Sequence, residues 1–294
     1  MDAQGINAVG GTKITLSALH KRALRRRVLD HAFLITAGGV MVAPLLLMAF
    51  AATQAGGLRA VATAPSASVL TGLNRNIERL TDLSGPGQSG PGLWDMVSTS
   101  LMTACGVAVL STVCGFLAAY AMTFLLRRGG RFWFSLTLLT LYFPIEARML
   151  PSFDVALRLG LINSLAGLIL PILPLALSTL IFRQHMRTLP PQLLEAARLD
   201  GVGPLKYLWD FVVPLSVVPI GAVLIVSFLI GWNQYLWPLM ISIDNSYFPL
   251  MRGLNLVGSG SGPSMVLAVI SVLPPLLLVL GFMRLLTRVT SVHV

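Results

Sequence analysis

Six long apolar segments constrain the fold of this chain more than any other feature. The hydrocarbon core of a bilayer takes about 20 mostly apolar helical residues to cross. A membrane β-barrel would need alternating apolar and polar residues, which these segments lack, and helices are the other structure that satisfies the backbone in lipid. The sequence therefore predicts an all-α integral membrane protein with six transmembrane helices, at roughly 32–52, 96–126, 132–150, 162–182, 212–241 and 264–286.

The basic residues are distributed unevenly between the segments that connect these spans. Of the 21 Lys and Arg, six lie in the N-terminal tail, three at 127–131, four at 183–206 and two at the C-terminal end, which leaves six for the other connections. Cytoplasmic connections are enriched in Lys and Arg. Both termini and the long polar segment are therefore expected in the cytoplasm, and this placement explains the net charge of +10 better than nucleic-acid binding does.

The spans divide the chain into four expected parts. Residues 1–29 form a basic cytoplasmic tail, 30–52 the first transmembrane helix, 53–93 an external loop, and 94–290 a core of five helices. The basic run and apolar stretch near the N-terminus could also be a signal peptide. Its apolar run of about 20 residues is longer than a usual signal-peptide core, so an uncleaved first helix is favoured.

The polar segment 183–213, between the fourth and fifth spans, has the pattern of two short helices joined by a bend. Pro190 and Pro191 suit the first turn of a helix, where a missing N–H is not needed. Gly201 can adopt the left-handed conformation that ends a helix, and Gly203 with Pro204 can start another. We expect this pair of helices to lie outside the membrane.

The same segment carries a specific motif. Glu195-Ala196-Ala197 is followed by Gly201 four residues after the second alanine, and Phe211-Val212-Val213-Pro214 begins the next apolar run. This spacing resembles the "EAA loop" of permease subunits from binding-protein-dependent ABC importers. In that family the loop is a coupling helix that docks in a cleft of the ATPase subunit. The resemblance assigns ATPase coupling to Glu195, Ala196, Ala197, Asp200, Gly201 and Pro204.

The resemblance extends over about residues 136–237, within the maltose-transporter-like (MalG-type) permeases. The strings at 143–148, 182–184, 188–190, 195–201 and 231–239 are similar to the glycerol-3-phosphate (Ugp-type) branch. This implies an importer of glycerol-3-phosphate or a related glycerophosphodiester in a bacterial inner membrane. Sugar permeases carry similar strings, so a sugar or oligosaccharide importer is the alternative.

The resemblance also implies partners. These are an ATP-binding subunit dimer, a second and different permease subunit, and an external solute-binding protein, all assembled at membrane lipid. The chain has no Gly-x-x-x-x-Gly-Lys-Ser/Thr phosphate-binding loop. ATP hydrolysis is therefore assigned to the partner, and we expect no catalytic residue, metal or cofactor in this chain.

Polar residues near the outer ends of the third and fifth spans are candidates for the solute path. Ionisable groups within a span usually face a cavity or a partner. They could equally hold helices together by hydrogen bonds, and the sequence leaves both roles open for each of them. These residues are Glu146, Arg148, Asn233, Gln234 and Tyr235.

Two other classes of membrane protein fit the sequence less well. A secondary transporter working alone often contains internal repeats, and none is evident here. An integral membrane enzyme would need clustered His, Cys, Asp or Glu, whereas the four histidines are scattered along the chain. The loop motif favours the importer subunit over both.

Overall fold

The computed structural model describes residues 16–63, 68–84, 90–126, 129–245 and 247–291, and within these ranges the chain is helical and has no strand. The start of the expected tail and parts of the expected external loop lie outside these ranges. The helices, in chain order, are α1 Leu16–Ala52, α2 Leu58–Thr63, α3 Val69–Thr81, α4 Leu93–Tyr120, α5 Gly130–Leu139, α6 Ile145–Arg158, α7 Leu165–Ile169, α8 Leu175–Met186, α9 Pro191–Leu199, α10 Pro204–Tyr207, α11 Val213–Leu215, α12 Val217–Trp232, α13 Leu236–Ile241, α14 Leu250–Gly253 and α15 Gly262–Ser291.

Three single helices in the described ranges are long and apolar enough to cross a bilayer: Arg27–Ala52, Leu93–Leu125 and Gly262–Met283. Two bent pairs pass the same test as units. Leu165–Ile172 with Leu175–Met186 is bent by 52°, and Pro204–Leu215 with Val217–Trp232 by 78°. The described part of the chain thus provides up to five spans. The all-α membrane fold is confirmed, while the expected count of six is not reproduced.

The third expected span, 132–150, is the one without a counterpart. The ten-residue helix α5 is followed by one 3₁₀ turn at Thr140–Tyr142, and α6 begins after Pro144. Phe143 is extended, with φ −83° and ψ 112°, because a residue that precedes proline avoids the helical region. The residues after Pro144 form α6 instead, which extends past the expected end of this span to Arg158.

The prolines of the fourth and sixth spans have different effects on their helices. Pro171 and Pro174 lie at the 52° bend between α7 and α8, and proline is a common cause of such a kink. The helix of the fifth span ends at Trp232, nine residues earlier than expected, and α13 follows after a short turn. A proline inside a helix usually kinks or breaks it, but α15 continues through both Pro274 and Pro275.

Helix α4 is the centre of the packed core and contacts both α8 and α12 along its length. Glycines allow these close contacts. A Cβ atom at Gly115 would lie 2.5 Å from the Ser178 Cβ of α8, and one at Gly231 of α12 would lie 3.0 Å from the Ala104 Cα of α4. In contrast, none of the membrane window of α1 is buried.

The segment after α1, expected as an external loop, is largely helical and closely packed. The fully buried Asn76 of α3 donates through Nδ2 to the carbonyl oxygens of Ala52 (2.9 Å) and Gln54 (3.0 Å). The Leu58 N–H of α2 donates to the Gly260 carbonyl, at 3.0 Å, just before α15. This segment therefore joins the end of α1 to the start of α15.

Candidate functional site

The loop between α8 and α12 has the bent two-helix form that its sequence predicts. Helix α9 begins at Pro191 and ends at Leu199, and Gly201 has φ +71°. The Gly201 N–H donates to the Arg198 carbonyl at 3.1 Å, and the Val202 N–H donates to the Ala197 carbonyl at 2.9 Å. This pair of hydrogen bonds is a Schellman motif, which requires a left-handed residue at the position of Gly201.

The second half of the loop is anchored to α4. Pro204 is the first residue of α10, and its carbonyl accepts a hydrogen bond from the Tyr120 hydroxyl at 2.6 Å. Tyr207 is in contact with two further aromatic rings, Phe124 and Phe211, each with a centroid separation of 5.6 Å. Phe124 in turn lies 5.3 Å from Tyr120. A hydrogen bond and an aromatic cluster therefore connect the loop to the end of α4.

The six motif residues divide between two faces of the loop. Ala197 is buried, with 3% of its surface exposed, in a cluster that includes Tyr120 and Tyr207. Because Ala197 faces inward, the two alanines do not present one common outward surface. The outward-facing motif residues are Glu195, Ala196, Asp200, Gly201 and Pro204.

Two leucines on the outward side of the loop are unusually exposed. Leu199 has 89% of its surface exposed and Leu205 has 74%. They flank the bend at Gly201. Large apolar side chains that are this exposed, next to charged and polar groups, are typical of a protein–protein contact surface.

The two candidate residues expected in the third span lie on the same helix, α6, but have different surroundings. Glu146 and Arg148 are both exposed on α6, and in the described part of the chain neither forms an ion pair. Arg148 lines a groove of about 850 Å³ between α4, α5 and the bent α7–α8 pair, whereas Glu146 does not. Thr137, Thr140 and Thr179 also line this groove.

The residues expected near the end of the fifth span form the turn between α12 and α13. Asn233 is exposed and its N–H caps α12 by donating to the Leu229 carbonyl at 3.1 Å. Gln234 and Tyr235 are half-buried, and the Tyr235 hydroxyl accepts a hydrogen bond from the Asn255 amide. Asn233 ends α12 and α13 begins at Leu236, so the three candidate residues lie outside both helices.

Arg252 lies near this turn and is not among the residues that the sequence predicts for the solute path. Its guanidinium lies over the Phe248 ring, 4.2 Å from the centroid, and donates to the Pro238 carbonyl at 3.5 Å. The sequence feature that could have indicated this contact is a single arginine among apolar residues, close to an aromatic residue whose ring can bind the guanidinium.

The two parts of the expected path approach each other at one place. Arg148 of α6 and Trp237 of α13 line the same small recess, together with Pro171. Among the described residues, no hydrogen bond joins Arg148 to the turn at 233–235. The fold thus brings α6 and α13 together without direct pairing between the candidate side chains.

Comparison with known proteins places this architecture among transport proteins. A family model described as "Binding-protein-dependent transport system inner membrane component" matches residues 111–292. The sn-glycerol-3-phosphate transport system permease protein UgpE of Salmonella typhi is 33% identical over 269 residues, which cover 89% of this chain and 94% of that protein. UgpE of Escherichia coli K12 is 32% identical over 268 residues, with coverage of 89% and 94%.

A solved structure has the same fold. The crystal structure of a bacterial ABC transporter involved in the import of the acidic polysaccharide alginate contains a chain that is similar with a TM-score of 0.70. Its sequence is 20% identical, and the match covers 93% of this chain and 99% of that one.

Proposed function

Because this chain belongs to the family of binding-protein-dependent transport system inner membrane components, we propose that it forms half of the membrane path of an importer for sn-glycerol-3-phosphate or a related glycerophosphodiester. The chain is a multi-pass, non-catalytic permease subunit of an ABC importer. The proposed solute is the one that UgpE of Salmonella typhi and UgpE of Escherichia coli K12 are named for, and each of these relatives matches 89% of the chain.

The observation that carries the proposal is the loop of α9 and α10. Its inner side is fixed to α4 by the Tyr120–Pro204 hydrogen bond and the buried Ala197. Its outer side presents Glu195 and the exposed Leu199. A rigid, bent element with a free apolar tip is suited to insert into a cleft of an ATPase subunit and to pass a displacement on to the membrane helices.

The proposed solute is an anion and needs cationic or N–H donors along its path. Arg148 supplies a guanidinium to the groove beside the bent α7–α8 pair. Arg252 supplies a second one near the turn at 233–235. We assign Arg148, Asn233, Gln234 and Tyr235 to the path, with Glu146 at its margin.

The complete importer would contain partners that this chain lacks. We propose an ATP-binding subunit dimer at the α9–α10 loop, a second and different permease subunit, and an external solute-binding protein. The assembly would lie in a bacterial inner membrane with both termini in the cytoplasm, as the distribution of Lys and Arg suggests.

Reconstitution of the complex tests this proposal. Co-expression with the partner subunits and purification through this chain should recover the ATPase, and proteoliposomes should take up labelled glycerol-3-phosphate when ATP and the binding protein are present. Leu199→Asp is expected to release the ATPase, because the exposed leucine would be desolvated on docking and a carboxylate resists desolvation.

Leu70→Asp is the matched control, since Leu70 lies on α3, away from the loop, and is 73% exposed. It should retain the ATPase. Equal ATPase recovery by both variants would contradict docking at the loop. Uptake that unlabelled maltose suppresses, and glycerol-3-phosphate does not, would replace the proposed solute with a sugar.

The proposed orientation can be tested by labelling of cysteines in intact cells. In a Cys105→Ala, Cys114→Ala background, Gln192→Cys on α9 should resist a membrane-impermeant thiol reagent. Glu78→Cys on α3 should react, since both side chains are exposed on the protein and only the membrane separates them. The reverse labelling pattern would invert the orientation.

A further inference from the structure

Two buried tryptophans flank the turn at 233–235. Trp232 is the last residue of α12 and Trp237 is the second residue of α13, and each has at most 2% of its surface exposed. Each indole N–H donates to a backbone carbonyl of another helix. Trp232 Nε1 lies 2.9 Å from the Ser271 oxygen in α15, and Trp237 Nε1 lies 2.9 Å from the Gly167 oxygen in α7.

Both of these carbonyls lack the usual helical donor because of a proline. In an α-helix the carbonyl of one residue accepts from the N–H four residues later. The residue four positions after Ser271 is Pro275, and the residue four positions after Gly167 is Pro171. Proline has no N–H. Each tryptophan therefore supplies from a neighbouring helix the donor that proline removes.

The two prolines lie in different local structures although the same hydrogen bond is formed near each of them. Pro275 lies inside a continuous helix, whereas Pro171 lies in the 3₁₀ segment Leu170–Ile172 that precedes the bend. In both places a buried acceptor would be costly without a donor. The indole satisfies the acceptor and, at the same time, joins two helices.

The turn between the tryptophans is consequently held at both ends. Trp232 ties its start to α15 and Trp237 ties its end to α7. Pro171, next to the second tie, lines both the large groove and the recess that Arg148 shares with Trp237. The second of these hydrogen bonds therefore lies next to the groove that Arg148 lines.

We propose that Trp232 and Trp237 are positioning residues for transport. They hold Asn233, Gln234 and Tyr235 against the solute path and move this turn together with α7 and α15. The inference rests on the proposed transport function. It assigns to the tryptophans a role that is separate from their contribution to the core.

The decisive experiment gives the Ser271 carbonyl a new hydrogen-bond donor within α15 and leaves the hydrogen bond between α12 and α15 broken. Trp232→Phe keeps an aromatic ring but leaves the Ser271 carbonyl unpaired. Pro275→Ala returns an N–H four residues after Ser271, so the double variant Trp232→Phe/Pro275→Ala again satisfies this carbonyl within α15. The melting temperature of the purified complex and the uptake per assembled complex are measured for the wild type, both single variants and the double variant.

We expect Trp232→Phe to lower both quantities, and the double variant to recover the melting temperature of Pro275→Ala. Its uptake per assembled complex should remain about tenfold below that of Pro275→Ala, the factor that corresponds to about 1.4 kcal/mol. The loss should appear in the maximal rate while basal ATP hydrolysis is retained. Recovery of uptake together with the melting temperature would overturn the proposal and leave Trp232 with a structural role only.

Two further variants complete the test. Trp237→Phe should lower uptake per complex in the same way, and unchanged uptake would remove the second tie from the proposal. Trp94→Phe, at a side chain that is 73% exposed at the start of α4, should change neither quantity. Absence of ATP-dependent uptake by the wild-type complex would count against the proposed function itself, whereas normal uptake by both tryptophan variants would count against this inference alone.

Discussion

Gly201→Val is expected to abolish most solute-stimulated ATP hydrolysis and to lower uptake at least about tenfold while the protein still inserts into the membrane. The φ of +71° at Gly201 is required by the two hydrogen bonds that end α9. A left-handed conformation costs an L-residue roughly 1–2 kcal/mol, and a β-branched side chain adopts it with particular difficulty. The bend should relax, so α9 would change its angle to α10.

The matched control for this variant lies two residues away. Gly203 has φ −70° and ψ 161°, a conformation that valine adopts freely, and a Cβ atom at either glycine would meet no atom within 4 Å. Gly203→Val adds the same atoms to the same loop and should retain coupling. ATPase assays and uptake are normalised to the amount of protein in the membrane. Equal coupling in the two variants would show that the bend at Gly201 is not required.

Gly72→Ala is expected to lower the stability of the folded protein substantially. A Cβ atom at Gly72 in α3 would lie 1.8 Å from the Thr53 carbonyl oxygen, a backbone atom that cannot rotate away. Overpacking of this kind costs about 3 kcal/mol. The hydrogen bonds from Asn76 to the end of α1 depend on the same close approach. The melting temperature of the purified protein should fall by several degrees.

Gly38→Ala provides the comparison, because it adds the same methyl group to α1 where no atom lies within 4 Å. It should be neutral or stabilising, by up to about 1 kcal/mol, since glycine inside a helix is less stable than alanine. An equal melting temperature for Gly72→Ala and Gly38→Ala would mean that α3 can move away from α1 at no cost.

The loop of α9 and α10 could be predicted from the sequence because each of its features is local. The prolines at 190 and 191 start α9, and Gly201 ends it through the conformation that glycine favours. The resemblance of the motif to permease subunits then identified the family, which the comparisons confirm. What the motif could not reveal was that Ala197 faces inward, because which side of a short helix is buried depends on the helices around it.

The membrane spans were less predictable because hydropathy does not report breaks in the backbone. Segments 132–150 and 212–241 are apolar enough to read as single helices, although Pro144 and the Asn233–Tyr235 turn divide them. Conversely, Pro274 and Pro275 suggested a break that is absent. A donor from Trp232, 39 residues away, satisfies the Ser271 carbonyl, and no pattern local to α15 contains that information.

Helix α4 has the geometry of a lever across the membrane. The Tyr120 hydroxyl holds the loop carbonyl of Pro204, and twenty residues earlier the Ser100 hydroxyl accepts the Leu250 N–H at 2.7 Å, next to Arg252. Twenty helical residues extend about 30 Å, the thickness of the hydrocarbon core. A tilt of about one degree at Tyr120 therefore displaces Ser100 by about 0.5 Å along an arc of that radius. Small rotations of α4 at the loop would therefore move the Leu250–Arg252 segment by a fraction of an ångström per degree, without bending of the helix.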